Sequence, residues 1–245
     1  MYLLLSGEGP GDIGVCNPSD DNCDRSEFSE GPMAIMVDQL VEHYLGYEMS
    51  HLGTERVSYV SERYLAKNKQ PPQKKKMSLR GKKKAVETKY YYENARALAA
   101  VARVKREKEK DNVVAVLFRD SDGTASAGRG EWRDKRKSIL AGFAAEGYEL
   151  GVAMIPKPKS EAWLLCAVKD NPYQHCEHLE NESGNDCAQN PLKTQLDNAL
   201  DNNSSTHAVN ERVRNKEINA ELIDMPSLNV FKEDLRQAVL RACNT

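Results

Sequence analysis

The chain has 245 residues, of which 40% are hydrophobic and 29% are charged, and its formal net charge is −2. This composition is typical of a soluble globular protein with one large domain, or with a domain and a small appendage. No apolar run approaches the ~20 residues of a membrane helix, and the first residues lack the basic start and the length of a signal peptide, so we expect a cytoplasmic protein with no membrane association.

The first predicted strand covers residues 2 to 5 and ends in a glycine-rich segment. The glycines fit neither the dinucleotide-binding spacing nor the P-loop spacing, and no lysine follows them. The segment does leave an acid, Glu8, at the carboxyl end of the strand. Residues 13 to 31 are polar and predict a surface loop. Pro32 then suits the first turn of a helix, and the apolar spacing predicts that helix over residues 33 to 47.

A basic arm follows a short predicted strand at residues 56 to 60. Residues 66 to 110 contain 16 Lys and Arg against 4 Glu, which leaves 19 basic against 33 acidic residues elsewhere. The arm begins as an insertion at about residues 66 to 88 and is predicted to become helical from about Lys84, with residues 90 to 110 rich in Ala, Arg, Lys and Glu. Such a block is either a solvated loop or a contact for nucleic-acid phosphates. We favour the phosphate contact, made by Lys74, Lys75, Lys76, Arg80, Lys82, Lys83 and Lys84.

A pair of acids follows the unbroken apolar run at residues 113 to 118. This run predicts a central strand covered on both faces. Asp120 and Asp122 come directly after it. Two carboxylates this close repel each other unless a cation or a proton neutralises them. An Asp and Gly turn explains the same composition without a metal. A calcium loop is disfavoured, because Ala125 stands where an EF-hand requires glycine.

The fourth predicted strand, residues 149 to 155, follows an amphipathic helix over residues 131 to 146 that ends at Gly147. Ser160 is then a good N-cap for an apolar helix. Glu161, in its first turn, either complements the helix dipole or joins the other acids at the strand ends.

Strands and helices thus alternate four times, which predicts an α/β fold: a Rossmann-like, mostly parallel sheet of about four strands flanked by helices, with right-handed crossovers. We assign residues 1 to 168 to this domain. Residues 169 to 245 are predicted as an insertion loop at about 170 to 190 and a C-terminal helical extension, with helices over 192 to 200, 209 to 222 and 228 to 242.

The six cysteines are dispersed, and Cys166 lies in the apolar helix, so we expect free thiols and no disulfide framework. A loose cluster lies near residue 180 and lacks any Cys-x-x-Cys pair. A zinc site there is disfavoured but left open; its ligands would be His175, Cys176, His178 and Cys187. His43, His51 and His207 have no matched partners and are taken as structural.

Three segments together resemble the TOPRIM domain shared by topoisomerases, primases and overcoming-lysogenization-defect nucleases. They are Leu3-Leu-Leu-Ser-Gly-Glu-Gly-Pro-Gly-Asp12, Val116-Leu-Phe-Arg-Asp-Ser-Asp-Gly123 and Ile155-Pro-Lys-Pro-Lys-Ser-Glu-Ala-Trp-Leu-Leu165. The chain is most similar to small stand-alone TOPRIM-like proteins of bacterial defence and mobile loci, over about residues 1 to 168. The long polar loop after the first strand and the basic arm depart from the family pattern.

The resemblance implies that Glu8, Asp120, Asp122 and Glu161 are catalytic metal ligands, with Asp12 as a weaker supporting ligand. Mg²⁺ or Mn²⁺ at the two aspartates would neutralise charge on a phosphodiester, and a second ion near Glu8 and Glu161 would activate water. Lys157 and Lys159 are either exposed strand-end lysines or contacts to substrate phosphate.

We therefore expect a metal-dependent endonuclease acting on DNA or RNA, the effector of an anti-phage defence or mobile-element system that works with a partner ATPase. The alternative is a non-catalytic subunit that uses the basic arm to bind nucleic acid or a protein partner. Nucleotidyl transfer or strand passage is disfavoured, because nothing in the sequence supplies a topoisomerase tyrosine domain.

Overall fold

The computed structural model describes residues 1–18, 20–71, 86–121 and 131–244, except the side chains of residues 86 and 87. The strands are β1 Tyr2–Gly7, β2 Gly14–Cys16, β3 Asn22–Asp24, β4 Phe28–Glu30, β5 Val57–Ser61, β6 Val113–Phe118 and β7 Gly151–Met154. The helices are α1 Pro32–Leu45, α2 Glu62–Lys67, α3 Val86–Glu109, α4 Trp132–Ala145, α5 Ser160–Val168, α6 Leu192–Ala199, α7 Thr206–Arg214 and α8 Pro226–Cys243.

The α/β prediction with a mostly parallel sheet is confirmed. The main sheet has the order β3-β5-β1-β6-β7, in which β5, β1, β6 and β7 are parallel and β3 is an antiparallel edge strand. The four parallel strands therefore lie in the order second, first, third, fourth along the chain. In such a sheet the strand order reverses between the first and third strands, here β1 and β6, and ligands bind beyond the carboxyl ends at that point.

Both faces of the sheet are covered, because side chains alternate between two hydrophobic cores. Leu3, Val114 and Val116 lie in the core shared with α1, α5 and α8. Leu4 and Ala115 lie in the other, shared with α3 and α4. This explains why β6 has no polar alternation in its sequence: a strand buried on both faces requires apolar side chains at every position.

The helix boundaries follow the local signals closely. Pro32 occupies the first turn of α1, and Gly46 ends that helix in a left-handed conformation with φ of 72°. Gly147 does the same after α4, with φ of 63°. Residues other than glycine rarely adopt this conformation, so both glycines terminate their helices. α7, by contrast, ends at Arg214, earlier than the predicted 222.

The prediction of a plain surface loop over residues 13 to 31 is wrong. This segment contains β2, β3 and β4, and β2 pairs antiparallel with β4 while β3 extends the main sheet. Alternation in these three-residue strands is too short to be recognised as a period of two. Because β3 lies beside β5, the segment is part of the fold.

The prediction that all cysteines remain thiols is also wrong for four of the six. Cys16 bonds to Cys23, which joins β2 to β3, and Cys166 bonds to Cys176, which joins α5 to the 3₁₀ turn Cys176–Asn181. Each pair is brought together by a tertiary contact that the dispersed sequence positions do not reveal. Disulfides are typical of oxidising compartments, so these two bonds argue against a cytoplasmic location. That localisation stays a prediction.

The C-terminal helices pack against the sheet. α8 lies against α1, β6 and β7, and α6 lies against α5. Leu228, Phe231 and Leu235 of α8 are buried in the same core as Leu3. The division at residue 168 stays a prediction. Within the described residues, no helix has the length and apolar character needed to cross a membrane.

Candidate functional site

Glu8 and Arg119 leave neighbouring strands at the point where the strand order reverses. Gly7 of β1 is paired with Phe118 of β6, so the residues that follow each of them emerge side by side at the carboxyl edge of the sheet. Arg119 Nη2 lies 3.2 Å from Glu8 Oε2. Glu8 is thus at the predicted edge, and it faces an internal cation there.

Arg119 also binds Glu62, the first residue of α2 after β5. Its Nη1 donates to both carboxylate oxygens of Glu62 at 3.0 Å. Tyr90 Oη and Asn94 Nδ2 donate to the same carboxylate at 3.3 and 3.4 Å. Burial raises the pKa of the Glu62 carboxyl, although Arg119 opposes that shift. Burial opposes the charge on Arg119, yet the carboxylates of Glu62 and Glu8 outweigh it and raise the pKa of the guanidinium.

The other three described acids of the predicted site converge on one residue, Ser160. Asp120 Oδ1 accepts the Ser160 backbone N–H at 2.9 Å. The Ser160 hydroxyl donates to Asp12 Oδ1, and Glu161 Oε2 lies 3.4 Å from the same hydroxyl oxygen. The sequence separates Asp12 from Ser160 by 148 positions, so only the fold brings them together.

Ser160 does not serve as the predicted N-cap. The N-cap of α5 is Lys159, which makes no side-chain capping bond, and Ser160 is the first helical residue. Asp120 supplies the cap from β6 instead, because its carboxylate satisfies the backbone N–H of Ser160. A carboxylate at a helix N-terminus is also favoured by the helix dipole. The hydroxyl of Ser160 is then available to orient Asp12.

The carboxyl group of Asp12 is perturbed by its surroundings. Burial raises the pKa of its carboxyl to about 6, the hydrogen bond from Ser160 opposes that shift, and the negative charge of Glu161 adds to it. Lys159 and Lys193 attract the charged form more weakly. The side chains of Asp12 and Glu161 line a cavity of about 210 Å³, together with Gly11, Ser160, Lys193 and Thr206. This cavity adjoins the converging acids.

The predicted phosphate contacts are in part already paired within the protein. Lys159 Nζ lies 2.8 Å from Asp186, and Lys157 Nζ lies 3.9 Å from Glu180. In the arm, Lys67 pairs with Asp21, Lys69 and Lys89 pair with Glu93, Arg96 and Arg103 pair with Glu146, and Lys105 and Lys108 pair with Asp24. The described part of the arm therefore stabilises the fold to an extent that its sequence did not indicate.

Several predicted site residues lie outside the described residues. They are Asp122, Lys74, Lys75, Lys76, Arg80, Lys82, Lys83 and Lys84. Their roles as a metal ligand and as nucleic-acid contacts stay predictions. Lys135 of α4 is 2% exposed, and its ammonium donates to the carbonyl of Ser121, the residue that precedes Asp122 in the sequence.

The chemistry of the acids fits a hard divalent cation. Mg²⁺ prefers oxygen ligands and is commonly held by one or two carboxylates, with water and substrate phosphate completing its shell. Asp120, Asp12 and Glu161 offer such oxygens, and burial, with a smaller effect of the Glu161 charge, raises the pKa of the Asp12 carboxyl, a shift that a bound cation would oppose. Across residues 1–18, 20–71, 86–121 and 131–244, no group of three or more His, Cys, Asp or Glu side chains is close enough together to hold a metal.

The loose cysteine and histidine cluster loses a ligand for zinc. Cys176 is bonded to Cys166, so it offers no thiolate. Cys187 is an exposed free thiol. His175 is in a left-handed conformation with φ of 51° before the 3₁₀ turn. The structure gives no support for zinc in the part of the chain it describes.

Three residues of this region were missed by sequence reasoning, namely Glu62, Arg119 and Lys135. Glu62 directly follows a predicted strand, so the rule that selected Glu8 and Asp120 would have found it. Arg119 and Lys135 carry no such signal, because a basic residue after a strand or in a helix is ordinary. Comparison of the chain with protein-family models, with curated proteins and with solved structures gave no match.

Proposed function

We propose that this protein is a divalent-metal-dependent nuclease that hydrolyses phosphodiester bonds of DNA or RNA. The observation that carries the proposal is the convergence of Asp120, Asp12 and Glu161 on Ser160, beside the point where the strand order reverses. Carboxylates at the carboxyl ends of parallel strands are the type of oxygen ligand that a phosphoryl-transfer metal site uses.

Asp120 and Asp12 are the residues best placed to hold the ion, with Glu161 beside them and Asp122 added by its position in the sequence. A bound Mg²⁺ or Mn²⁺ would neutralise charge on the phosphodiester and make its bound water more acidic. Ser160 orients two of the ligands, because its N–H fixes Asp120 and its hydroxyl fixes Asp12. Such hydrogen bonds to ligands tune metal affinity.

Lys193 lines the same cavity and Lys159 is close enough to lower the pKa of Asp12, so both bring positive charge to the place where a phosphate would lie. We propose that the lysines between residues 74 and 84 also bind the nucleic-acid backbone. Their contribution should be uniform across sequences and sensitive to salt.

The test is cleavage of plasmid, linear DNA and RNA in Mg²⁺ or Mn²⁺, by the protein alone and with a candidate partner ATPase. Asp120→Asn keeps the size of the side chain and the acceptor for Ser160 but removes the charge, so we expect activity to fall at least ~100-fold. Asp170→Asn, at an exposed position after α5, is the matched control and should retain activity. Substrates that stay intact under all these conditions, or equal cleavage by Asp120→Asn, would contradict the proposal.

A non-catalytic subunit is the second candidate, and the pairing of Glu8 with Arg119 favours it, since an internal cation already neutralises that acid. This candidate predicts nucleic-acid binding that survives Asp120→Asn and is lost when the lysines between residues 74 and 84 are neutralised.

A further inference from the structure

We propose that Arg119 is a nucleic-acid phosphate-binding residue and that Glu8 is its exchangeable counter-ion, not the ligand of a second metal. This inference rests on the proposed function in one respect only, the nucleic acid as ligand. In this proposal the positive charge next to Glu8 comes from the guanidinium of Arg119 and not from a second metal ion.

The hydrogen-bond donors of Arg119 support this role. A guanidinium has five N–H groups in a planar fork. Nη1 donates to both carboxylate oxygens of Glu62, and Nη2 lies 3.2 Å from Glu8 Oε2. The Nε–H and one Nη2–H have no hydrogen-bond partner among the described residues, and 23% of the side chain is exposed. The fork therefore has donors and access for a phosphate oxygen.

Arg119 is also held in place before any ligand arrives. Its guanidinium carbon lies 4.6 Å from the ring centroid of Tyr90 and 5.2 Å from that of Tyr91. Glu62 anchors the opposite edge of the fork and is itself oriented by Tyr90 and Asn94. A cation fixed in this way binds phosphate with little further loss of side-chain entropy.

The two carboxylates on Arg119 differ in exposure, which identifies the exchangeable one. The Glu62 side chain is 14% exposed and lies within the hydrogen bonds just described, whereas the Glu8 side chain is 31% exposed. Displacing the more exposed carboxylate costs less, because water solvates it when it leaves. A phosphate oxygen would thus take the place of Glu8 and leave Glu62 where it is.

The position of Arg119 and Glu8 places the exchange of Glu8 for a phosphate oxygen at the proposed substrate site. Arg119 directly precedes Asp120 and emerges from β6 next to the end of β1, so its charge lies at the same sheet edge as the proposed ion. A structural ion pair would stabilise the same contacts without binding anything. The salt dependence of nucleic-acid binding separates the two roles, since it counts neutralised phosphates.

The experiment measures binding of a fluorescein-labelled oligothymidine by anisotropy, in EDTA, over about 50 to 300 mM salt. For Arg119→Gln we expect about tenfold weaker binding and a slope of log affinity against log salt that is smaller by about 0.7, the value for one lost single-strand phosphate contact. Arg119→Lys should keep the slope and bind less tightly, because it retains the charge and loses the fork. Arg236→Gln, on α8 and paired with Glu233, is the matched control and should match the wild type.

Glu8→Gln provides the second, independent measurement. It removes the competing carboxylate, so in EDTA we expect the variant to bind oligothymidine about three to ten times more tightly than the wild type. In the Arg119→Gln background the same substitution should leave the affinity unchanged. This variant also decides the matter if Arg119→Gln does not fold.

The inference would be overturned if folded Arg119→Gln had the same slope of log affinity against log salt as the wild type, or if Glu8→Gln bound oligothymidine with unchanged affinity. It would also be overturned if the folded wild type bound no oligothymidine. EDTA prevents metal-dependent cleavage, so the measurement is independent of catalysis. If the protein shows the predicted salt dependence of binding but cleaves no nucleic acid under any condition, the role of Arg119 is supported and the nuclease proposal fails.

Discussion

Asp12→Asn is the most informative perturbation of the site, because it tests the electrostatics without assuming a reaction. Burial raises the pKa of the Asp12 carboxyl from 3.8 to about 6, and Glu161 adds to the shift. Asparagine has the same shape and still accepts the hydrogen bond from the Ser160 hydroxyl. The substitution therefore removes only the charge that forms when Asp12 loses its proton.

The sign of the effect follows from proton linkage. Between pH 4 and pH 6 the folded protein binds more protons at Asp12 than the unfolded chain does, so its free energy of unfolding falls as the pH rises through this range. Above pH 6 the full cost is present. A shift of this size corresponds to about 3 kcal/mol as an upper value, and the partial exposure of Asp12 reduces it to roughly 1–3 kcal/mol.

The assay is urea unfolding of wild type and Asp12→Asn at pH 3.5 and pH 7.5, without divalent cations. We expect the variant to be more stable than the wild type by roughly 1–3 kcal/mol at pH 7.5 and equally stable at pH 3.5. Asp24→Asn is the matched control, because hydrogen bonds from Lys105 and Ser58 outweigh burial and lower the pKa of Asp24 to about 2. The same substitution should therefore destabilise the protein at pH 7.5.

The outcome that refutes this reasoning is a loss of stability in Asp12→Asn at pH 7.5, or a stability difference from the wild type that does not change with pH. Either result would mean that the carboxylate is stabilised where it lies and that the acids around Ser160 do not repel one another.

Three further predictions follow from the packing and the cysteines. Gly142→Ala should lower the free energy of unfolding by about 1–3 kcal/mol, because the added methyl group would lie 2.7 Å from Ala95 Cβ and force α4 and α3 apart. Unchanged urea unfolding would disprove this close packing. Burial lowers the pKa of His51 to about 4, so its contribution to stability is lost as pH falls from 6.5 to 4. His51→Leu should therefore make the free energy of unfolding depend less on pH between 4 and 6.5. An unchanged pH dependence in the variant would contradict this role of His51. Replacing Cys166 and Cys176 by alanine should cost about 2–3 kcal/mol, since the bond closes a short loop, with a separation of 10 residues; no change in urea unfolding, or two titratable thiols at these positions in the native wild type, would show that the bond does not form.

Much of the fold could be predicted because the relevant signals are local. An unbroken apolar run such as residues 113 to 118 indicates a doubly covered strand wherever it occurs, and Pro32 and Gly147 mark helix ends through their own backbone preferences. The acids at the strand ends could be found for the same reason. The carboxyl ends of parallel strands share one edge of a sheet, so acids that follow these strands are brought to that edge.

The identity of each contact partner could not be predicted, because it depends on register and on packing between distant segments. The role of Glu8 at a second metal stays a prediction, but its contact with Arg119, which the pairing of β1 with β6 brings about, could not be predicted. Ser160 was expected to cap its own helix, but Asp120 caps that helix from another strand. Side-chain type fixes what a group can bind, and spatial proximity decides what it does bind.

For this protein, then, the sequence by itself determined the α/β class, the four parallel strands and the edge at which Glu8, Asp120 and Glu161 lie. Only the tertiary structure decided that Asp12, Asp120 and Glu161 share Ser160, that Glu8 pairs with Arg119, and that four cysteines are joined in pairs. The physical reason is range: backbone preference and apolar periodicity act over a few residues, whereas hydrogen bonds, ion pairs and disulfides join whichever groups the completed fold brings within a few ångströms.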